Sequence, residues 1–93
     1  MTDETRLLLL KTDLGIMTTL YDERLLQYLE AAKREIAREG YTLSADSADD
    51  NNLQIMYAAW MWRRRDTGEG MPRMIRWLLN NRLFDTSGVD TDG

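Results

Sequence analysis

The 93-residue sequence contains no cysteine and no histidine. Without them the chain has no disulfide framework, no thiol nucleophile and none of the common zinc sites. It also lacks the usual general base of nucleophilic catalysis. The acidic residues Asp46, Asp49 and Asp50 lack the alternate spacing and closing glutamate of a calcium loop. We therefore expect that the protein is not an enzyme and that it binds no metal or cofactor.

Long apolar runs are also missing. The longest spans residues 55–62, well short of the roughly 20 residues that a membrane helix needs. The acidic start, Met1 to Glu4, lacks the basic region of a secretory signal. The length favours one small domain. The sequence thus predicts a single domain without a membrane partner, and the missing cysteines fit a reducing compartment.

Charge is unevenly distributed along the chain, whose net charge is −4. Residues 63–84 hold six arginines against two acidic residues, a net charge of +4 that leaves −8 for the remainder. An acidic protein with one basic segment is a poor general nucleic-acid binder. This asymmetry favours head-to-tail contact between copies, or an oriented place in an assembly.

The sequence patterns predict an all-α bundle of four helices and no strand. The first helix should span Asp3 to Asp13, between an N-cap at Thr2 and a left-handed residue at Gly15. The second should begin with a capping box formed by Thr19 and Asp22 and end at Gly40. Apolar residues at helical spacing should line the core: Leu7, Leu10 and Leu14 in the first helix, and Leu25, Leu29, Ala32 and Ile36 in the second.

The third helix, predicted from Asp50 to Asp66, is apolar on two opposite sides. Asp46, Asp49 and Asp50 should cap its start. One side carries Leu53, Met56, Tyr57 and Trp60, and the other carries Ile55, Ala59 and Trp62. Because a surface helix of a small bundle needs only one apolar stripe, this helix is either central or lends one stripe to a partner.

The fourth helix should open near Pro72 and continue to Phe84, which divides the chain into a helical domain of residues 1–84 and a polar tail of residues 85–93. Its predicted inward arc comprises Met71, Met74, Ile75, Leu78, Leu79 and Leu83, with Leu78 in the middle and therefore expected to be buried. Trp77 and Phe84 fall outside the arc, beside Arg73. They are either interface anchors or are covered by a loop or tail of the same chain.

Three consecutive arginines, Arg63 to Arg65, suggest a nucleic-acid site. Successive helical positions point about 100° apart, so these side chains cannot form one binding face. They also suit the negative end of the third helix, where they can pair with acidic neighbours. The candidate interface residues are Trp62, Arg63, Arg64, Arg73, Trp77 and Phe84.

Two groups of motifs point to a known family. The first contains Leu10, Lys11, Leu14 and Ile16, followed by Asp22 and Glu23, then Leu25, Ala32 and Ile36, then Gly40. The second is the apolar helix LQIMYAAWMWRRR followed by GEGMPRMIRWLLNNRLF. Residues 7–84 resemble the small head–tail connector (adaptor) proteins of long-tailed bacteriophages and prophages. The resemblance covers the order of the motifs, the length of the chain and both groups of motifs.

The resemblance implies an all-helical virion subunit that forms a ring beneath the portal, with the portal's twelve-fold symmetry. Such a ring extends the DNA exit channel and provides a platform for a stopper or tail-completion protein. DNA would pass through without sequence-specific binding. The family has no catalytic residue to transfer to this chain. Each subunit would offer one surface to its neighbour and receive another, a contact that closes by rotation.

Two other classes of protein remain open at this stage. A helix-turn-helix DNA-binding regulator is compatible with short helices and a basic third helix. Against it, the third helix is mostly apolar, its arginines lie at its end, and the whole chain is acidic. The other class is a small interaction module without ring symmetry.

Overall fold

The computed structural model describes residues 1–67 and 70–92, with side chains described except at residue 66 and residues 84–92. Within these residues the chain forms four α-helices and no strand, so the predicted all-helical fold is confirmed. The helices are α1 (Asp3–Leu14), α2 (Asp22–Arg38), α3 (Ala48–Thr67) and α4 (Arg73–Asp92).

Helix α1 begins and ends as its sequence predicts. The Thr2 side chain accepts a hydrogen bond from the Thr5 amide at 3.2 Å, which satisfies one of the unpaired donors of the first turn. At the other end Gly15 has a φ of 71°, and the Ile16 amide donates to the Lys11 carbonyl at 2.9 Å. This left-handed cap turns the chain sharply towards α2.

Replacing Gly15 by alanine should destabilise the protein by about 1 kcal/mol. A non-glycine residue in the left-handed region costs about 1 to 2 kcal/mol, part of which is offset by the lower entropy of the unfolded chain. No atom lies within 4 Å of the added Cβ, so the cost is one of backbone conformation alone. Urea unfolding measures it, with Gly15→Asn as the control that should lose less, and a fully stable Gly15→Ala variant would contradict the account.

Helix α2 starts two residues later than a cap at Thr19 would require, and its N-cap residue Tyr21 makes no side-chain cap, so the predicted capping box is wrong. The Asp22 amide donates to the Thr19 carbonyl at 3.2 Å in a backbone turn. The Asp22 carboxylate instead pairs with Lys11 of α1 at 2.8 Å, which links the two helices. The predicted inner stripe of α2 is confirmed, and each of its members is buried: Leu25, Leu29, Ala32 and Ile36.

Helix α3 is the central element, because it contacts all three other helices. Both of its apolar sides contribute to the core, and its buried hydrophobic residues are Leu53, Ile55, Tyr57, Ala58, Ala59 and Trp60. The central position predicted as one of two alternatives is therefore confirmed. Fully buried Ala58 has only a methyl side chain, which permits close helix packing.

Two buried polar contacts fix the positions of α1 and α2 along α3. On one side Arg6 of α1 donates through Nε to Asn51 Oδ1 at 2.9 Å. On the other, Gln54 donates through Nε2 to the Leu29 carbonyl of α2 at 2.9 Å. Because buried polar groups are costly when unpaired, a slip of either helix along α3 would be penalised.

Helix α4 returns antiparallel to α3 and buries a narrower stripe than the sequence predicts. Ile75 and Leu79 are buried, while Met71, Leu78 and Leu83 are only partly buried against the core. Met74 is 58% exposed, so its predicted inward position is wrong. The reason is that α4 packs mainly on α3, and one neighbouring helix covers a narrower arc than a bundle interior does.

The backbone of α4 continues to Asp92, eight residues beyond the predicted end at Phe84. An existing helix gains one hydrogen bond for each residue added and has no further nucleation cost, so a polar sequence can extend it. The side chain of Phe84 and those of the predicted tail lie outside the described residues. The division of the chain at residue 84 stays a prediction.

Candidate interaction surfaces

Trp62, a predicted interface residue, is partly buried among side chains of its own chain. Its ring makes edge-to-face contacts with Tyr21 at 5.4 Å and with Tyr28 at 5.8 Å between centroids. Such pairs contribute beyond the area that they bury. Trp62 therefore joins the last turns of α3 to the start of α2.

The three consecutive arginines contact three different groups. Arg63 donates to the Asp13 carbonyl at the end of α1 at 3.4 Å. Arg64 lies over the ring of Trp60, 4.6 Å from its centroid, and Arg65 lies 3.6 Å from the ring centroid of Trp62. The guanidinium groups do not line one track that a nucleic-acid backbone could follow, in agreement with their spacing on a helix.

Trp60 secures the chain just before α4. Its indole Nε1 donates to the Gly70 carbonyl at 3.0 Å, and its ring meets Tyr57 edge to face at 5.2 Å. Burial of Tyr57 raises the pKa of its phenol, and the nearby carboxylates of Glu35 and Glu39 raise it further by a smaller amount. The phenol therefore stays neutral at physiological pH.

A buried polar cluster fastens α4 to the rest of the fold. Asp50 is fully buried and accepts hydrogen bonds from the Tyr41 hydroxyl at 2.8 Å and from the Ser44 amide at 2.9 Å. Its Oδ1 lies 3.1 Å from Arg82 Nε of α4, and Arg82 Nη2 donates to the Tyr41 hydroxyl at 3.1 Å. We call Tyr41, Asp50 and Arg82 the α4 clasp.

Asp50 belongs to the α4 clasp and is not the cap of α3 that the sequence predicted. The acidic residues before the third helix were expected to cap it, but Ser47 does so, with its Oγ accepting from the Asp50 amide at 3.2 Å. Asp50 turns instead towards Arg82. The hydrogen bond from Arg82 to Tyr41 raises the pKa of the Arg82 guanidinium, and the nearby Asp50 carboxylate raises it by a smaller amount. Arg82 therefore keeps its charge.

The outer side of α4 carries a large exposed aromatic residue. Trp77 is 60% exposed, which confirms its predicted place off the buried stripe, and Met74 one turn earlier is also exposed. The two residues line a surface groove with four others, and we call the whole set the α4 face: Met71, Arg73, Met74, Arg76, Trp77 and Asn80. Arg73, another predicted interface residue, is exposed here, whereas Arg63 and Arg64 lie at the end of α3.

A second exposed apolar surface lies between α1 and α2, and sequence reasoning missed it. Met17 is 96% exposed and Leu20 is 76% exposed. With their exposed neighbours they form what we call the turn surface: Met17, Leu20, Tyr21, Glu23 and Leu26. The available signal was that Met17 and Leu20 belong to no helical stripe, so neither has an assigned partner in the core.

No protein-family model, curated protein or solved structure matches this chain. Within the described residues, no group of three or more acidic side chains is placed to hold a metal ion. None of the helices in that part of the chain has the length and apolar character needed to cross a membrane.

Proposed function

We propose that this chain is a head–tail connector (adaptor) subunit of a long-tailed bacteriophage or prophage. The observation that carries the proposal is the order of the connector-like motifs over residues 7–84. In this proposal copies of the subunit form a ring beneath the portal. The ring, which has twelve members if it matches the portal, extends the DNA exit channel and receives the stopper or tail-completion protein.

The α4 face supports a role in assembly. Large aromatic residues and arginines are enriched at protein interfaces, and tryptophan is prominent among the residues that carry binding energy. Trp77 and Met74 are exposed together on α4, beside Arg73 and Arg76. Met74 and Trp77 project away from the core, to which α4 contributes Ile75 and Leu79.

A channel that DNA crosses should not hold the phosphate backbone tightly, since many cationic contacts would oppose passage. The net charge of −4 suits such a role, as do arginines engaged by aromatic rings and carbonyl groups of their own chain. The alternative, a helix-turn-helix regulator, needs an exposed recognition helix. Helix α3 is unsuited to that role because its neighbours cover both of its apolar sides.

Trp77→Ala should leave the subunit folded and weaken its attachment to neighbours or to the portal. Losing one buried aromatic anchor can cost about 2 kcal/mol, roughly a thirtyfold change in affinity at each contact. Native mass spectrometry of the protein mixed with the portal ring from the same genome measures the number of bound copies. The native chain should saturate the ring, and Trp77→Ala should not.

Two controls sharpen this experiment. Trp77→Phe keeps an aromatic anchor and should retain most binding. Leu8→Ala removes an exposed leucine from α1 and should bind as the native chain does. The connector proposal would be wrong if the native chain did not bind the portal but formed a sequence-specific complex with duplex DNA at nanomolar affinity. That result would favour the helix-turn-helix regulator.

A further inference from the structure

We infer that the turn surface of one copy receives the α4 face of the next copy, so that the subunits associate head to tail. This inference rests on the proposed function and extends it, because it names the acceptor surface within this chain. Both surfaces belong to the same subunit, and each combines exposed apolar side chains with charge. The partner that fits the α4 face is therefore a second copy of the chain.

The two surfaces carry opposite charge. Residues 70–83 contain three arginines and no acidic residue, whereas residues 12–26 contain three acidic residues and one arginine. Some of these charges are engaged within the subunit, since Arg82 belongs to the α4 clasp and Asp22 pairs with Lys11. Arg73 and Glu23 remain exposed, one on each surface.

Arg76 adds to the positive charge of the α4 face. Its nearest acidic partner is Glu39 at 3.9 Å, and both side chains are substantially exposed. An exposed ion pair at that distance is weak, so Arg76 can exchange Glu39 for a carboxylate of a neighbouring copy. Opposite charges then orient the approach of two copies, while the apolar groups supply the buried area.

The apolar groups of the two surfaces also suit each other. Met17 is almost fully exposed and Leu20 is mostly exposed, and exposed apolar groups that cluster in this way mark interaction sites. On the α4 face, Met71 and Met74 line the groove together with Trp77. Methionine side chains adapt their shape to a partner, so the groove can close around an inserted leucine or methionine.

The end of α3 separates the two surfaces within one subunit. Trp62 contacts Tyr21 of the turn surface, while Trp60 bonds to Gly70, just before α4. Side chains two positions apart on a helix point about 200° apart, so Tyr21 and Gly70 contact opposite sides of α3. Two different surfaces on one subunit make a heterologous contact, which repeats from copy to copy and forms a ring where the rotation between copies closes.

The test uses one variant for each surface, without portal. Leu20→Arg removes an apolar group of the turn surface and places a cation opposite the arginines, and Trp77→Asp disables the α4 face. Both residues are exposed, and circular dichroism checks that each variant folds. At about 1 mM, where even weak contacts are populated, the native protein should form oligomers by analytical ultracentrifugation. Each variant alone should associate at least about tenfold more weakly.

Mixing the two variants gives the decisive result. The intact α4 face of Leu20→Arg can bind the intact turn surface of Trp77→Asp, so an equimolar mixture should form a heterodimer and nothing larger. The inference is overturned by a mixture that stays monomeric, by a Leu20→Arg variant that assembles like the native chain, or by a native protein that is monomeric or only a two-fold dimer at this concentration.

The outcome separates this inference from the proposed function. Self-association that follows this pattern, in a protein that never binds a portal, would uphold the head-to-tail contact and remove the connector function. Full occupancy of the portal ring by Leu20→Arg would uphold the connector function and overturn the contact.

Discussion

Asp50→Ala should lower the free energy of unfolding by about 2 to 4 kcal/mol, because it leaves buried hydrogen-bond donors without an acceptor. The substitution removes the group that accepts from the Tyr41 hydroxyl and the Ser44 amide and that pairs with Arg82. Arg82 is partly exposed and can turn to water, so its lost ion pair adds little to the cost. Against a typical total stability of about 5 to 15 kcal/mol, the loss is large.

Asp49 provides the matched control, one residue away. Its side chain is 84% exposed and lies 3.9 Å from Arg82, so Asp49→Ala should change stability by no more than about 0.5 kcal/mol. Urea unfolding of both variants measures the difference, and Tyr41→Phe should lose about 1 kcal/mol for the missing hydroxyl. Equal losses for the two aspartates would show that total charge, and not the α4 clasp, sets the stability.

The α4 clasp also matters for the proposed assembly. Helix α4 has one principal helical neighbour, and among its described side chains only Ile75 and Leu79 are buried. The ion pair at Arg82 therefore contributes to the orientation of the helix that presents Trp77. A weakened clasp should reduce assembly even though none of its three residues belongs to the α4 face.

Local sequence signals predicted most of the fold. Helix α2 has a regular apolar period and buries the predicted stripe, and Gly15 takes the conformation that few other residues adopt easily. The two apolar sides of α3 already indicated that it is either central or shared with a partner. These features depend on residues close together in the chain, which is where period and capping rules apply.

Features that depend on distant pairs could not be predicted in this way. Asp50 and Arg82 are 32 positions apart in the sequence, and nothing local indicates that they meet. Asp22, which was expected to help cap α2, pairs with Lys11 of another helix. Met74 matched the apolar period of α4 but lies beyond the arc that α3 can cover, since a period does not state how many neighbours a helix has.

The candidate interaction surfaces were predicted in part for the same reason. Trp77 stood out because it breaks the apolar period of its own helix, and that is a local signal. Trp62 fitted one side of α3, but only the tertiary structure brings Tyr21 and Tyr28 against its ring. Met17 and Leu20 of the turn surface gave no periodic signal at all, so their exposure emerged only once the core was complete.

Leu79→Ala should destabilise the subunit by about 2 to 5 kcal/mol, through lost transfer free energy and the cavity that remains. The Leu79 side chain is fully buried in the core, with a relative solvent accessibility of 0%. It is a better probe than Leu78, which the sequence placed in the middle of the arc but which is only partly buried. For a domain of this size each kcal/mol lowers the melting temperature by about 4 to 8 °C.

Trp77 is the matched comparison, two positions earlier on the same helix. Because it is 60% exposed, Trp77→Ala should change stability by no more than about 0.5 kcal/mol while it lowers assembly. Thermal melts and assembly yields of both variants then separate a core position from an interface position. A Trp77→Ala variant that melts as early as Leu79→Ala would assign Trp77 to the stability of the subunit and remove the α4 face from the proposed contact.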